Sequence, residues 1–123
     1  MINSSLVASS ASMIYCASTE RYARPMARFL LHPAAIWNDK EDYLKPDKAK
    51  RILEDAEKYN LLFRKIYSTC TNLSEDEIKS ITTSETGRGS YQNEEALKNG
   101  LITQRVDEIK HYLLTYYITN MSD

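Results

Sequence analysis

Hydrophobic positions along this chain change their period several times, and each change predicts an element. Residues 1–9, MINSSLVAS, mix small, β-branched and apolar side chains and read as a strand or the exit of one. The run from Ser10 to about Ala17, SASMIYCA, is small and apolar, which predicts a short buried helix. Between Tyr22 and Leu31 the chain holds Pro25 and then an apolar stretch, the pattern of a turn followed by a short buried strand ending at His32. Pro33 has no N–H to donate and ends any ladder there. Residues 34–45 are polar apart from a few positions such as Trp37 and Tyr43, and read as a loop.

The longest periodic segment follows. Between Asp47 and Cys70, the residues Ala49, Ile52, Leu53, Ala56, Tyr59, Phe63, Ile66, Tyr67 and Cys70 recur at helical spacing. Lys50, Arg51, Glu54, Asp55, Lys58 and Arg64 take the other face, and Pro46 stands where a first helical turn tolerates it. At about 1.5 Å per residue such a helix is on the order of 35 Å long. That is long for a small domain, so its apolar seam is expected to pack on another subunit as well as on its own core. Ser74 and Glu77 form a capping box that opens a second helix through about Thr83, with Ile78 and Ile81 inward. The two glycines of SETGRGSYQ predict a loop. Asn93 is placed to cap a short helix, EEALKN, that stops at Gly100, where a left-handed C-terminal residue is expected. Leu101 and Ile102 predict a short strand, and Val106, Ile109, Leu113 and Tyr116 share one face of a final helix, Val106 to Ile118. There is no internal repeat and no low-complexity linker.

Composition narrows the class of protein. At 123 residues the chain suits one domain, and 42% hydrophobic residues suffice for one core. Lys plus Arg number 16 against 17 Asp plus Glu, a net charge of −1 that argues against nucleic acid as a main partner and permits self-association. Cys16 and Cys70 form no CxxC or Cys/His cluster, so no metal site is expected; they could pair, but two buried free thiols in a reducing compartment are the favoured reading. No stretch is apolar enough to span a bilayer, and the first positive side chain is Arg21, so a basic signal-peptide start is lacking. A cytoplasmic protein is the expectation.

Serine becomes a nucleophile only when a neighbouring base takes its proton, so histidine limits the search. His111 falls in the charged register of the last predicted helix and reads as a surface residue. His32 follows the apolar run RFLL and precedes Pro33. A ring at the end of a buried strand must be hydrogen-bonded, either as a core histidine held by backbone or as a base poised for chemistry.

The segment SSLVASSASMIYCA resembles the strand-to-helix nucleophile turn of ClpP-like serine proteases, where small residues, Ser and Met open a buried helix. RYARPMARFLLHP is similar to that family's strand ending in the catalytic histidine. The long helix falls where the family has its handle helix, and NEEALKNGLI resembles the family's closing helix, glycine and strand. The resemblance runs in order from residue 4 to about 107. The short spacing between Ser12 and His32 is more like the phage-associated, prohead-type branch than the cellular protease. It implies a partial α/β fold of the ClpP/crotonase type across a single domain, 1–123, that lacks the family's N-terminal βα units. It implies Ser12 as nucleophile, His32 as general base and the Met13 N–H as an oxyanion donor. Glu85, in Ser84-Glu85-Thr86, is the nearest carboxylate for the third position, whereas a gapless count back from the closing helix puts Arg88 there and leaves a dyad. No cofactor and no metal are implied. Peptide or unfolded protein as substrate, a ring of identical subunits and an AAA+ unfoldase partner are implied, with no membrane or nucleic acid.

Two readings compete within this lineage: a peptidase acting through an acyl-enzyme on Ser12, and an inactive relative or fragment that keeps the long helix for assembly. A third reading, a helical interaction module unrelated to proteases, requires residues 4–32 not to form strand, buried helix and strand.

Overall fold

The computed structural model describes residues 1–37 and 43–106. Its first apolar run is broken at Asn3, and the break has a structural cause. Asn3 is buried; its Oδ1 accepts the Ser5 N–H at 3.0 Å and its Nδ2 donates to the Arg28 carbonyl at 2.9 Å. The side chain thereby replaces a backbone partner and turns the chain. One expected strand becomes two, β1 (Ile2–Asn3) and β2 (Leu6–Ala8).

The helix α1 (Ser10–Cys16) follows as expected, then β3 (Tyr22–Ala23), a turn, and β4 (Arg28–Leu31). β3 lies parallel to β1, and β4 lies parallel to β2 with Ala8 opposite Leu30. Parallel pairing needs a crossover, which α1 supplies. Residues 4–32 therefore do form strand, helix and strand, the helix burying one face through Ser12 and Tyr15, and the unrelated helical module is excluded.

The long helix α2 (Pro46–Cys70) starts with proline in its first turn, but only its C-terminal half is packed. Its buried residues are Asn60, Phe63, Tyr67 and Cys70, whereas Leu53 and Tyr59 are 61% and 53% exposed. The expected seam thus stops at Asn60, whose Oδ1 accepts the Ala34 N–H at 2.7 Å. A helix this long outruns the small core beneath it.

In α3 (Glu75–Ile81) both halves of the Ser74–Glu77 capping box are formed, and Ile78 and Ile81 are buried. The segment read as a loop is more ordered than its glycines suggest. It contains a 3₁₀ turn (Glu85–Gly87) and a strand, β5 (Gly89–Gln92), antiparallel to β4. Gly87 is there because a Cβ would lie 2.2 Å from the Ser80 carbonyl oxygen, which reflects close backbone approach. In α4 (Asn93–Lys98) Asn93 is not the cap but the first helical residue, and its Nδ2 donates to the Arg24 carbonyl at 2.8 Å. Gly100 has the expected positive φ, 75°. Leu101 and Ile102 are fully buried core residues and not a strand; β6 (Gln104–Arg105) comes after them, parallel to β3. The strands form two small sheets, ordered β1-β3-β6 and β2-β4-β5. The predicted helix from Val106 and the histidine His111 lie, beyond Val106 itself, outside the described residues.

Cys16 ends α1, Cys70 ends α2, and the two are joined in a disulfide with Cα atoms 5.5 Å apart. The free-thiol reading is thereby corrected. Separation along the chain said nothing about the helix ends, which the fold brings together. Closing a loop of this length is worth about 4 kcal/mol in the chain-entropy picture.

Arg21 lies where these ends converge. Its Nε donates to Leu101 O at 2.9 Å and Nη1 to Ser18 O at 2.7 Å. Nη2 donates to Cys70 O at 3.1 Å and Gly100 O at 2.9 Å. Removing the guanidinium strands these carbonyls. Arg21→Met is expected to lower the unfolding free energy by about 3 kcal/mol or more, and Arg21→Lys to recover less than half of it. Urea denaturation of the three proteins checks this.

Candidate active site

Because β2 and β4 run in the same direction, the residues after each strand leave the sheet at the same edge. In open α/β sheets the carboxyl ends of strands are where ligands and chemistry collect. After β2 comes Ser9, with φ 52° and ψ −132°, a rare backbone for a residue with a side chain. Its N–H is held by the Leu30 carbonyl at 3.2 Å, across the sheet. Sharp strand-to-helix corners of this kind present reactive side chains in α/β-hydrolases. No signal in the sequence marked this one, since neither glycine nor asparagine stands there.

Ser12 sits in the first turn of α1 and is buried, 1% exposed. Its hydroxyl donates to the Ser9 carbonyl, and it shares a hydrogen bond of 2.9 Å with the Tyr67 hydroxyl. With its single proton on Ser9 O, Ser12 Oγ accepts from Tyr67. Met13 follows in the same turn, and the backbone donor to the Ser9 carbonyl is the Ser12 N–H, at 2.9 Å. The Met13 side chain lines a cleft of about 340 Å³ together with Ser9, Ser10, the segment from Ala34 to Trp37, Tyr59 and Phe63.

After β4 comes His32, half-buried, with Nδ1 2.8 Å from the Pro33 carbonyl oxygen. A carbonyl can only accept, so Nδ1 carries the proton and Nε2 keeps its lone pair. Both readings of His32 survive: it is held by backbone, and that hold leaves the other nitrogen basic. Ser12 and His32 share an edge of the sheet, but Ser12 Oγ is bonded to Ser9 and Tyr67 in this arrangement.

Leu31 is paired with Gly89, so the next register position beside His32 belongs to Arg88. Glu85 lies further out in the 3₁₀ turn, exposed, with Oε1 accepting from Arg88 Nη1 at 2.9 Å. The third position thus carries a cation paired to the nearest carboxylate. Among the described residues no group of His, Cys, Asp and Glu could hold a metal.

A profile of the Clp protease family matches residues 1–109. The chain belongs to the Clp protease family. Among solved structures it is similar to an asparagine-to-aspartate mutant of ClpP1 from Listeria monocytogenes, with a TM-score of 0.57 and 21% sequence identity. That match covers 87% of this chain and 56% of the other, so the chain spans little more than half of that subunit's length. No curated protein matches it. The Clp-type fold accounts for the order of elements: strand β2, helix α1, strand β4, the long helix α2 and the closing helix α4. No helix among the described residues is long and apolar enough to cross a membrane.

Tyr67 was expected only as a core residue of the long helix. A phenol on an apolar seam must place its O–H somewhere, and that need was the available signal. Burial pushes its ionisation upward, partly offset by the bond to Ser12. Tyr15, bonded to Tyr22 O at 2.9 Å, is likewise pushed up by burial, with the Arg21 charge opposing. Both groups ionise in the unfolded chain at about pH 10, while the folded protein still holds their protons. The native state then binds more protons, so stability is full below about pH 10 and falls as pH rises above it. Urea midpoints across the alkaline range are expected to drop, and less steeply in Tyr15→Phe and Tyr67→Phe.

Proposed function

We propose that this chain is a Clp-type serine peptidase subunit that hydrolyses peptide bonds through an acyl-enzyme on Ser12. The observation carrying this reading is the parallel β2–β4 pair, which brings the helix of Ser12 and the end of the His32 strand to one sheet edge. Beside it lies a cleft lined by Met13, Ala34 and Phe63. In this reading Ser12 Oγ attacks the scissile carbonyl carbon while His32 Nε2 takes its proton. The Met13 N–H receives the developing oxyanion. His32 passes the proton to the leaving amine, and the acyl group stays on Ser12 until a water, deprotonated by the same nitrogen, releases it.

Glu85 is committed to Arg88, so we assign the orienting of His32 to the Pro33 carbonyl. A carbonyl fixes the tautomer but offers only a partial negative charge to the imidazolium, which makes this a dyad. Substrates are peptides or unfolded protein, the subunits assemble into a ring, and an AAA+ unfoldase delivers to it, as in Clp-type systems generally. No cofactor enters the reaction.

A second reading, an inactive relative retained for assembly, is favoured by the Ser12–Tyr67 bond and by Arg88 beside His32. Treatment with a fluorophosphonate probe followed by peptide mapping separates the two. The peptidase reading expects one adduct, on Ser12, absent in Ser12→Ala and slowed at least about a hundredfold in His32→Ala. Folded protein that takes no adduct belongs to the second reading.

Assembly has its own surface. The unpacked half of α2 and the residues just beyond it expose Leu53, Leu61 and Leu62. Sedimentation velocity is expected to show species heavier than the 14.2 kDa chain, and Leu53→Lys to shift them toward monomer. A monomeric wild type would remove the ring from the reading.

A further inference from the structure

α1 and α2 meet along one short seam, and two different bonds cross it a helical turn apart. Ser12 and Cys16 are four residues apart on α1, while Tyr67 and Cys70 are three apart on α2, so each pair shares a helix face. Ser12 meets Tyr67 through a buried hydrogen bond of 2.9 Å, and Cys16 meets Cys70 through the disulfide. Tyr67 is fully buried and Cys70 is 4% exposed, whereas Cys16 is only partly covered. The seam therefore has a locked end that solvent can reach and an interior end at the serine hydroxyl.

We propose that this seam is a redox-sensitive latch on Ser12, with Tyr67 as the positioning residue that holds the hydroxyl and the Cys16–Cys70 bridge as the bolt. The inference rests on reading Ser12 as the nucleophile. While the bridge is closed, α1 cannot move away from α2. Ser12 then keeps its proton on the Ser9 carbonyl and one lone pair on Tyr67, so neither is offered to His32 or to a substrate. Opening the bridge leaves one neutral hydrogen bond across the seam, and exchange of that bond for one to His32 becomes possible.

The opening step needs a dithiol reductant. One of its thiolates attacks Cys16 Sγ, the more accessible sulfur; the S–S bond breaks and Cys70 leaves as a thiolate that takes up a proton. The reductant's second thiolate then displaces Cys16 from the mixed disulfide. Two electrons and two protons end on the cysteines, and the reductant leaves as its cyclic disulfide.

The test uses the full chain, oxidised with a glutathione couple or reduced with dithiothreitol. Intact mass after alkylation of the oxidised protein is expected to show no free thiol; two alkylated thiols would overturn the proposal at once. Fluorophosphonate labelling of Ser12 is expected to speed up on reduction by about fivefold to tenfold, the rate equivalent of one neutral hydrogen bond. Tyr67→Phe is expected to label faster than wild type in both redox states. Equal rates in all forms, or slower labelling of Tyr67→Phe, would overturn the latch, the latter by making Tyr67 an activator. Amide exchange in α1 gives a readout that needs no reactive serine. It is expected to accelerate by at least about tenfold on reduction. Accelerated exchange with no adduct in any form would overturn the nucleophile reading, and the latch on it, while identifying the bridge as a clamp. Unchanged exchange would overturn the clamp itself.

Discussion

Among the described residues the guanidinium of Arg21 has no carboxylate partner; it spends its donors on main-chain carbonyls at three places where regular structure ends. Ser18 O lies just past α1, Cys70 O closes α2, and Gly100 and Leu101 follow α4. A helix end leaves its last carbonyls without partners, and burying such groups unpaired is costly. A planar cation with donors in a fixed fork can serve several of them at once. The main chain of Arg21 adds to this, since its carbonyl accepts from Thr103 N–H and its N–H donates to Thr103 Oγ1. Through one residue the first crossover, the long helix and the closing segment are held in a common frame. The position of Ser12 relative to Tyr67 and the closure of the disulfide both depend on that frame.

Around it the protein divides into a packed part and a projecting part. Tyr15, Phe29, Leu31, Phe63, Tyr67, Leu101 and Ile102 make one core beneath the strand ends. The first half of α2 extends beyond that core with Leu53 and Tyr59 in solvent, which suits a role in contacts between copies better than one in folding. The two ends of one helix thus differ: its last turns hold Tyr67 and Cys70 against α1, and its first turns leave Leu53 exposed, the surface the proposed assembly uses.

In the proposed reading the site is a dyad. His32 gains its tautomer from a backbone carbonyl one residue away, a contact no substitution can delete directly. Among the described residues it gains no neighbouring negative charge, because the register that pairs Leu31 with Gly89 sets Arg88 next in line and Arg88 holds Glu85 outward. Serine is restrained from the other side by Tyr67. In the latch proposed above, release of the Ser12 hydroxyl from Tyr67 at the α1–α2 seam separates this arrangement from a reactive one.

Local pattern placed α1, α2, α3 and α4, because small apolar runs, helical spacing and caps such as Ser74 with Glu77 are local properties of the chain. The family's order of motifs, with Ser12 in the helix after β2 and His32 directly after β4, was likewise legible, since each motif lies within a dozen residues or so. Everything that joins distant residues was not. Asn3 splitting a strand, Gly89 to Gln92 pairing with β4 and Leu101 filling core and not sheet are all decided by partners remote in sequence. So are the Cys16–Cys70 bridge and the bond between Ser12 and Tyr67. Local pattern reports which face of an element is apolar; only the packed chain decides what that face meets, because a hydrogen bond or a disulfide requires two groups within a few ångströms and says nothing of the residues between them.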